Sequence, residues 1–236
     1  MKARSTSRMA RKVAIFDVDG TIFRSSLLIE LVNILIDREI FPEKARSIYK
    51  NEYLSWLDRD GGYQDYILAV VKAYMKYIKG VRQKDLVDAA RTVSEIHKNR
   101  VYRYTRNLTR HLKDNGYYLL AISHSPKFVL DSFGKSLGFD KIYGTRYAMD
   151  SKGKFTGEIM DEDLIFHKSK ILDRALEKEN LTLEESVGVG DTESDISFLE
   201  KVETPICFNP NGLLYAEAKR RGWKVVVERK DVIYEL

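Results

Sequence analysis

Short apolar runs alternate along this chain with stretches of helical period. Val13–Phe16, Tyr117–Ile122, Ser186–Val189, Pro205–Phe208 and Lys224–Val227 read as strands, the second entered from a turn at Asn115-Gly116. Between them, Lys127–Leu137 sets Phe128, Val129, Ser132, Phe133 and Leu137 on one side and stops at Gly138. Lys168–Lys178 carries Ile171, Leu172, Ala175 and Leu176 at helical spacing. Strands alternating with helices predict an α/β fold: a Rossmann-like parallel sheet with helices on both faces. Tyr143–Ile159 alternates and turns at Ser151-Lys152-Gly153, which predicts a small β-hairpin.

From about Ser25 to His97 the pattern is purely helical. The predicted helices are Leu27–Ile36, Ala45–Leu57, Tyr66–Ile78 and Leu86–Ile96, punctuated by Pro42, Gly61-Gly62 and Gly80. An insert between the first two strands of such a sheet sits over the ligand crevice and suits a lid. The expected division is a core of residues 1–24 and 98–236 with a helical cap of 25–97. Tyr49, Tyr53, Trp56, Tyr63, Tyr66, Tyr74 and Tyr77 crowd the insert, and most are expected to form its own small core, with one or two facing the crevice.

Bulk properties narrow the classes. At 236 residues the chain suits one large domain or a core with an insert, and 44% hydrophobic with 32% charged residues suits a globular protein. No apolar run reaches the eighteen residues of a membrane span. Met1–Lys12 is basic and lacks an apolar core, so it is expected to be a flexible tail rather than a secretion signal. The net charge of +5, from 40 basic and 35 acidic residues, favours small anions and does not call for nucleic acid or membrane partners. Cys207, the single cysteine, excludes an intrachain disulfide, and the cytoplasm is the expected compartment.

The chemistry gathers at strand ends. Asp17-Val18-Asp19-Gly20-Thr21 follows the first strand and brings two carboxylates to a glycine turn. In open α/β sheets, ligands bind beyond the carboxyl ends of the strands. An EF-hand is excluded: Gly20 is fourth from Asp17, not sixth, and the twelfth residue is Leu28, not glutamate. The second strand ends in Ser123-His124-Ser125-Pro126, where one serine can cap the next helix while the other binds an anion. The third ends in Gly190-Asp191-Thr192-Glu193-Ser194-Asp195, and with Asp17 these acids suit Mg²⁺, which takes oxygen ligands. Lys168 or Lys170, opening the preceding helix, can reach into the crevice.

Taken in order, Asp17-Val-Asp19-Gly-Thr21, Ser123, Lys168 and Gly190-Asp191-Thr-Glu-Ser-Asp195 resemble the four motifs of the haloacid dehalogenase-like hydrolase superfamily. The insert resembles the C1 cap of its phosphoserine-phosphatase-like branch. The resemblance selects Lys168, since Ile171-Leu172 follow it as the apolar face of its helix. It implies a Mg²⁺-dependent phosphatase acting on a small phosphorylated metabolite. Asp17 would be the nucleophile and Asp19 the general acid and base. The metal would be held by Asp17, the Asp19 carbonyl and Asp191, with Asp195 in support. Phosphate would be held by Ser123 and Lys168, with His124, Gly20, Thr21 and Arg24 nearby.

One departure matters. The branch carries a glutamate a few residues past the first motif that recognises the substrate amine, but nine residues on from Asp17 stands Ser26, and the nearest acid is Glu30. Phosphoserine is therefore not the expected preferred substrate. Arg24 suits an anionic substrate group or a surface ion pair. Competing classes are a phosphotransferase or phosphomutase on the same fold, a metal-dependent glycosyltransferase, which leaves Lys168 and Asp191–Asp195 without a use, and a non-catalytic binding module. Oligomeric state is left open.

Overall fold

The computed structural model describes residues 10–236, without the side chain of Ser136. Eight strands form one sheet: β1 (Arg11–Phe16), β2 (Tyr118–Pro126), β3 (Lys141–Met149), β4 (Phe155–Met160), β5 (Leu181–Gly190), β6 (Thr204–Phe208), β7 (Lys224–Arg229) and β8 (Val232–Glu235). Their order is β4-β3-β2-β1-β5-β6-β7-β8, parallel from β3 to β7 with an antiparallel strand at each edge.

Side chains two apart on β1 share a face. Ala14 and Phe16 join one core cluster, Val13 and Ile15 the other. Strands buried on both faces read as continuous apolar runs, which is why β1 is legible from sequence.

The helices divide between these clusters. On one face lie α1 (Leu27–Asp37), α2 (Lys50–Leu57), α3 (Tyr63–Ile78), α4 (Gln83–His97), α5 (Arg103–Asp114) and α6 (Lys127–Gly134). On the other lie α7 (Glu162–Ile165), α8 (Lys168–Glu179), α9 (Ile196–Leu199) and α10 (Gly212–Arg221). The expected α/β fold with helices on both faces is thus observed.

Several local expectations need correction. The hairpin is not a separate ornament: β3 pairs in parallel with β2 and extends the sheet, and β4 returns along it. The helix expected over Ala45–Leu57 breaks at Tyr49 into a 3₁₀ segment, Glu43–Ile48, and α2. Helix α5 was missed because its buried stripe is Thr105, Thr109 and Leu112, which gives little apolar period. Residues 1–9 of the expected tail lie outside the described residues, whereas Arg11 and Lys12 belong to β1.

The insert is tied down twice. Where the chain enters and leaves it, Arg24 N–H bonds the Arg100 carbonyl at 3.0 Å and Tyr102 N–H bonds the Ile22 carbonyl at 3.0 Å. At the far end, Gly80 N–H bonds the Phe155 carbonyl at 2.8 Å and Gln83 N–H the Gly153 carbonyl at 3.0 Å, clasping the α3–α4 turn to the β3–β4 hairpin. Leu27, Leu31, Tyr74 and Val93 of the insert share one core cluster with Phe16, Val129 and Phe133 of the sheet side.

Candidate active site

Adjacent strands β2, β1 and β5 end together and present the motif residues. Asp17 N–H bonds the Val189 carbonyl at 2.9 Å, so the first motif is pinned to the end of β5. Two glycines permit the close approach. Gly20 has φ +78°, and a Cβ there would lie 2.0 Å from Asp191 Oδ2. A Cβ on Gly190 would lie 2.5 Å from the Asp195 side chain.

At the centre stands Lys168, 3% exposed, at the start of α8. Its ammonium donates to Asp17 Oδ1 and Asp195 Oδ1, each at 2.6 Å. Burial alone would lower its pKa, but the two carboxylates outweigh it and hold it protonated. Lys170, the other candidate by spacing, is exposed.

Asp195 is fully engaged, since its Oδ2 also accepts the N–H groups of Asp191 at 2.9 Å and Thr192 at 3.1 Å. Asp191 accepts the Thr21 hydroxyl at 3.2 Å. Burial raises the pKa of Asp17, and the charges of Asp195 and Asp19 add to it against the pull of Lys168. Asp191 is raised in the same way, by burial and then by Asp17 and Asp195. One ammonium cannot neutralise three carboxylates. Oxygen atoms of Asp17, Asp191 and Asp195 lie within 4.8 Å of one another, a hard oxygen donor set that fits a divalent cation such as Mg²⁺.

Asp19 stands apart from that trio. The Leu27 N–H, at the start of α1, donates to its Oδ1 at 2.5 Å, and the Ser123 hydroxyl donates to its Oδ2 at 2.7 Å. A carboxylate at a helix N-terminus satisfies an otherwise unpaired donor. Burial pushes the Asp19 pKa up, opposed by the Leu27 N–H and the hydroxyls of Ser123 and Ser125. Neither serine caps α6, because Ser123 Oγ also accepts the Ser125 N–H at 3.0 Å and Pro126 occupies the cap position.

Other expected residues lie further out. Thr21 is buried, its hydroxyl on Asp191 and its carbonyl accepting the Thr105 hydroxyl at 2.9 Å. His124 is exposed, its ring 5.9 Å from that of Phe166. Arg24 is exposed on the crevice wall, its guanidinium 5.8 Å from the Tyr102 ring.

Above the acids opens a cavity of about 1420 Å³, bounded below by Gly20 and Asp191 and above by the insert. Five of the seven aromatic residues singled out in the insert line it: Tyr49, Tyr53, Trp56, Tyr63 and Tyr66. That exceeds the one or two expected. Tyr74 and Tyr77 pack instead against Phe41. The rings of Tyr49, Tyr53, Trp56 and Tyr63 gather around Tyr66, whose own burial keeps it within the cluster. Tyr63 lines the same cavity as Asp191, and burial, then the charges of Asp19 and Asp191, push its phenol pKa up. Sequence reasoning also missed Asn209, which lines the cavity beyond β6 and carries no motif signal.

Comparison with known proteins agrees with this geometry. The family model described as haloacid dehalogenase-like hydrolase matches residues 14–200. The chain belongs to the haloacid dehalogenase-like hydrolase family. Within that family it lies in the phosphoserine-phosphatase-like branch, and it is a phosphatase. It is 25% identical over 218 residues to the phosphoserine phosphatase SerB1 of Mycobacterium tuberculosis, covering 90% of this chain and 69% of the relative. It is also 25% identical over 221 residues to the histidinol-phosphatase of Neisseria meningitidis, covering 92% and 98%. A solved phospho-aspartyl intermediate analogue of phosphoserine phosphatase superposes with a TM-score of 0.61 at 20% identity, over 94% of this chain and 95% of that one, and shares the haloacid dehalogenase-like fold. Among the described residues no helix is long and apolar enough to cross a membrane.

Proposed function

We propose that this phosphatase hydrolyses a small phosphate monoester through a transient aspartyl-phosphate on Asp17. The observation that carries the reading is Lys168 held between Asp17 and Asp195 beside Asp191, with Asp19 clamped separately by α1 and Ser123. Lys168 fixes Asp17 through Oδ1, and Oδ2 is the oxygen to attack phosphorus. As the new O–P bond forms, the bond to the leaving alcohol breaks and Asp19 delivers a proton to that oxygen. Its raised pKa suits it to hold that proton. The same carboxylate, now ionised, takes a proton from the water that cleaves the aspartyl-phosphate, releasing inorganic phosphate. Splitting one displacement into two follows the logic of covalent catalysis.

Asp17, Asp191 and the Asp19 carbonyl would hold Mg²⁺, and Asp195 supports them through Lys168 and the Asp191 N–H. Bound there, the ion would neutralise charge on the phosphoryl group. Ser123 orients Asp19 and stands within reach of a phosphoryl oxygen, and residues 25–97 act as a C1-type cap.

Phosphoserine is not the preferred substrate in this reading. Ser26 is buried, and Glu30, which lines the cavity, is bound to Arg100 at 2.6 Å and His97 at 3.3 Å. Glu30 is thus not spare for an ammonium. The test is hydrolysis of a broad panel of phosphomonoesters with Mg²⁺ and with EDTA, alongside beryllium fluoride trapping. The reading expects Mg²⁺-dependent release of phosphate and an acyl-phosphate mimic on Asp17. Turnover that is indifferent to EDTA, or phosphoserine leading the panel, would contradict it.

A further inference from the structure

Building on that hydrolase reading, we propose that the aromatic wall of the insert is the subsite for the leaving group, and that the leaving group carries an aromatic ring. Three observations converge. The first is continuity: Gly20 and Asp191 on the floor line the same cavity as Tyr63, Trp56 and Tyr53 on the roof. A phosphoryl group seated at Asp17 therefore points its ester oxygen toward rings. Trp56 lies at the heart of the wall, 5.6 Å from both Tyr63 and Tyr66. The second is size. About 1420 Å³ exceeds the common range for ligand sites, roughly 300–1,000 Å³, and far exceeds what a three-carbon alcohol fills.

The third is charge. An aromatic cage can also bind an organic cation, which then needs acidic company. Among the described residues most acids of the cavity are paired: Glu30 is held by Arg100, His97 and the Ser25 hydroxyl, and Asp37 and Glu43 pair with Arg46. Two acids have no ion pair there, Asp191 on the floor and Glu228, which accepts the N–H groups of Arg103 and Tyr104. Against these two, Arg24, Lys50, Arg59 and Arg229 line the cavity without an ion pair among the described residues. The balance of spare charge is positive. Rings with guanidinium edges stack planar π-systems and reject ammonium groups.

The test compares substrates of matched leaving-group chemistry on the full chain with Mg²⁺. They are 2-phenylethyl phosphate, its saturated analogue 2-cyclohexylethyl phosphate, phosphocholine and phosphoserine, with acetyl phosphate as a reference that carries no side group. The expected kcat/KM for the phenyl ester is about three- to tenfold above the cyclohexyl ester, mainly in KM, and higher still than for phosphocholine and phosphoserine. Trp56→Ala should cut the ratio of phenyl ester to acetyl phosphate turnover about tenfold, and Trp56→Phe should restore most of it. Should Trp56→Ala fail to fold, Tyr63→Leu, at a half-exposed position, takes its place with the same expectation. Equal or better use of the cyclohexyl ester, phosphocholine or phosphoserine overturns the proposal, as does a ratio indifferent to these variants. No turnover of acetyl phosphate or of any ester would instead remove the hydrolase reading, and this proposal with it.

Discussion

The floor of the crevice is held by hydrogen bonds and ion pairs between strand ends, whereas its roof is held by ring contacts between helices of the insert. On the floor the charged groups are held by directional partners: Lys168 meets two carboxylates, Asp195 meets three donors, and Asp19 meets a helix start and a hydroxyl. Loss of one partner leaves a buried charge unpaired, which is costly. In the roof Tyr53, Trp56, Tyr63 and Tyr66 touch through faces and edges without directional bonds. Such contacts tolerate exchange of one ring for another. In the proposed reading the floor fixes the reaction, and the roof is free to set which substrate enters.

One acid of the floor is bonded directly to the insert. Leu27 N–H, at the start of α1, holds Asp19, so seating the insert also orients the proposed proton donor. A second tie runs through Arg24–Arg100 and Ile22–Tyr102, the clasp at the base of the insert.

Variants can break this contrast. The largest effect is expected for Asp17→Asn, with kcat lowered about a thousandfold or more and an unchanged circular dichroism spectrum, because the amide still fills the place beside Lys168. Substantial residual turnover would remove Asp17 as the nucleophile. Lys168→Met comes next. It strands Asp17 and Asp195 as buried carboxylates and is expected to cost about 3–5 kcal/mol in denaturant unfolding without metal. Added Mg²⁺ should recover part of that loss, since a cation at the acids binds only the folded state. If unfolding is unmoved by the variant, the floor is not held as described.

Gly20→Ala is expected to lower kcat/KM by about ten- to a hundredfold. Its Cβ would collide with Asp191 Oδ2, and φ +78° strains an L-residue by roughly 1–3 kcal/mol. Wild-type kinetics would show that Asp191 can yield. The smallest change belongs to the roof's far side. The hydroxyl of Tyr74 is buried without a hydrogen-bond partner among the described residues. Tyr74→Phe should leave activity intact and hold or raise the melting temperature, because it deletes an unsatisfied polar group. A loss of more than about 1 kcal/mol would show that the hydroxyl has a partner after all.

Sequence alone fixed the strand-end motifs and the parallel core. Val13–Phe16 is a continuous apolar run because β1 is covered on both faces, and Asp17 to Thr21 follow it in the order that a strand end and a tight turn demand. Gly20 was legible as a turn residue; that it makes room for Asp191 from a distant strand end, and Gly190 for Asp195, was not. The helical insert was legible from its period, but α5 was hidden because threonines form its buried stripe.

Only the tertiary structure showed which acids Lys168 meets, set Ser123 on Asp19 rather than onto α6, and placed the ring cluster of the insert along the crevice as well as in its own packing. The physical reason is the range of the information. Period and turn chemistry are local, set by neighbours within a few residues. Which face of a helix meets a cavity, and which of two lysines meets a carboxylate 151 residues away, depends on how distant segments pack.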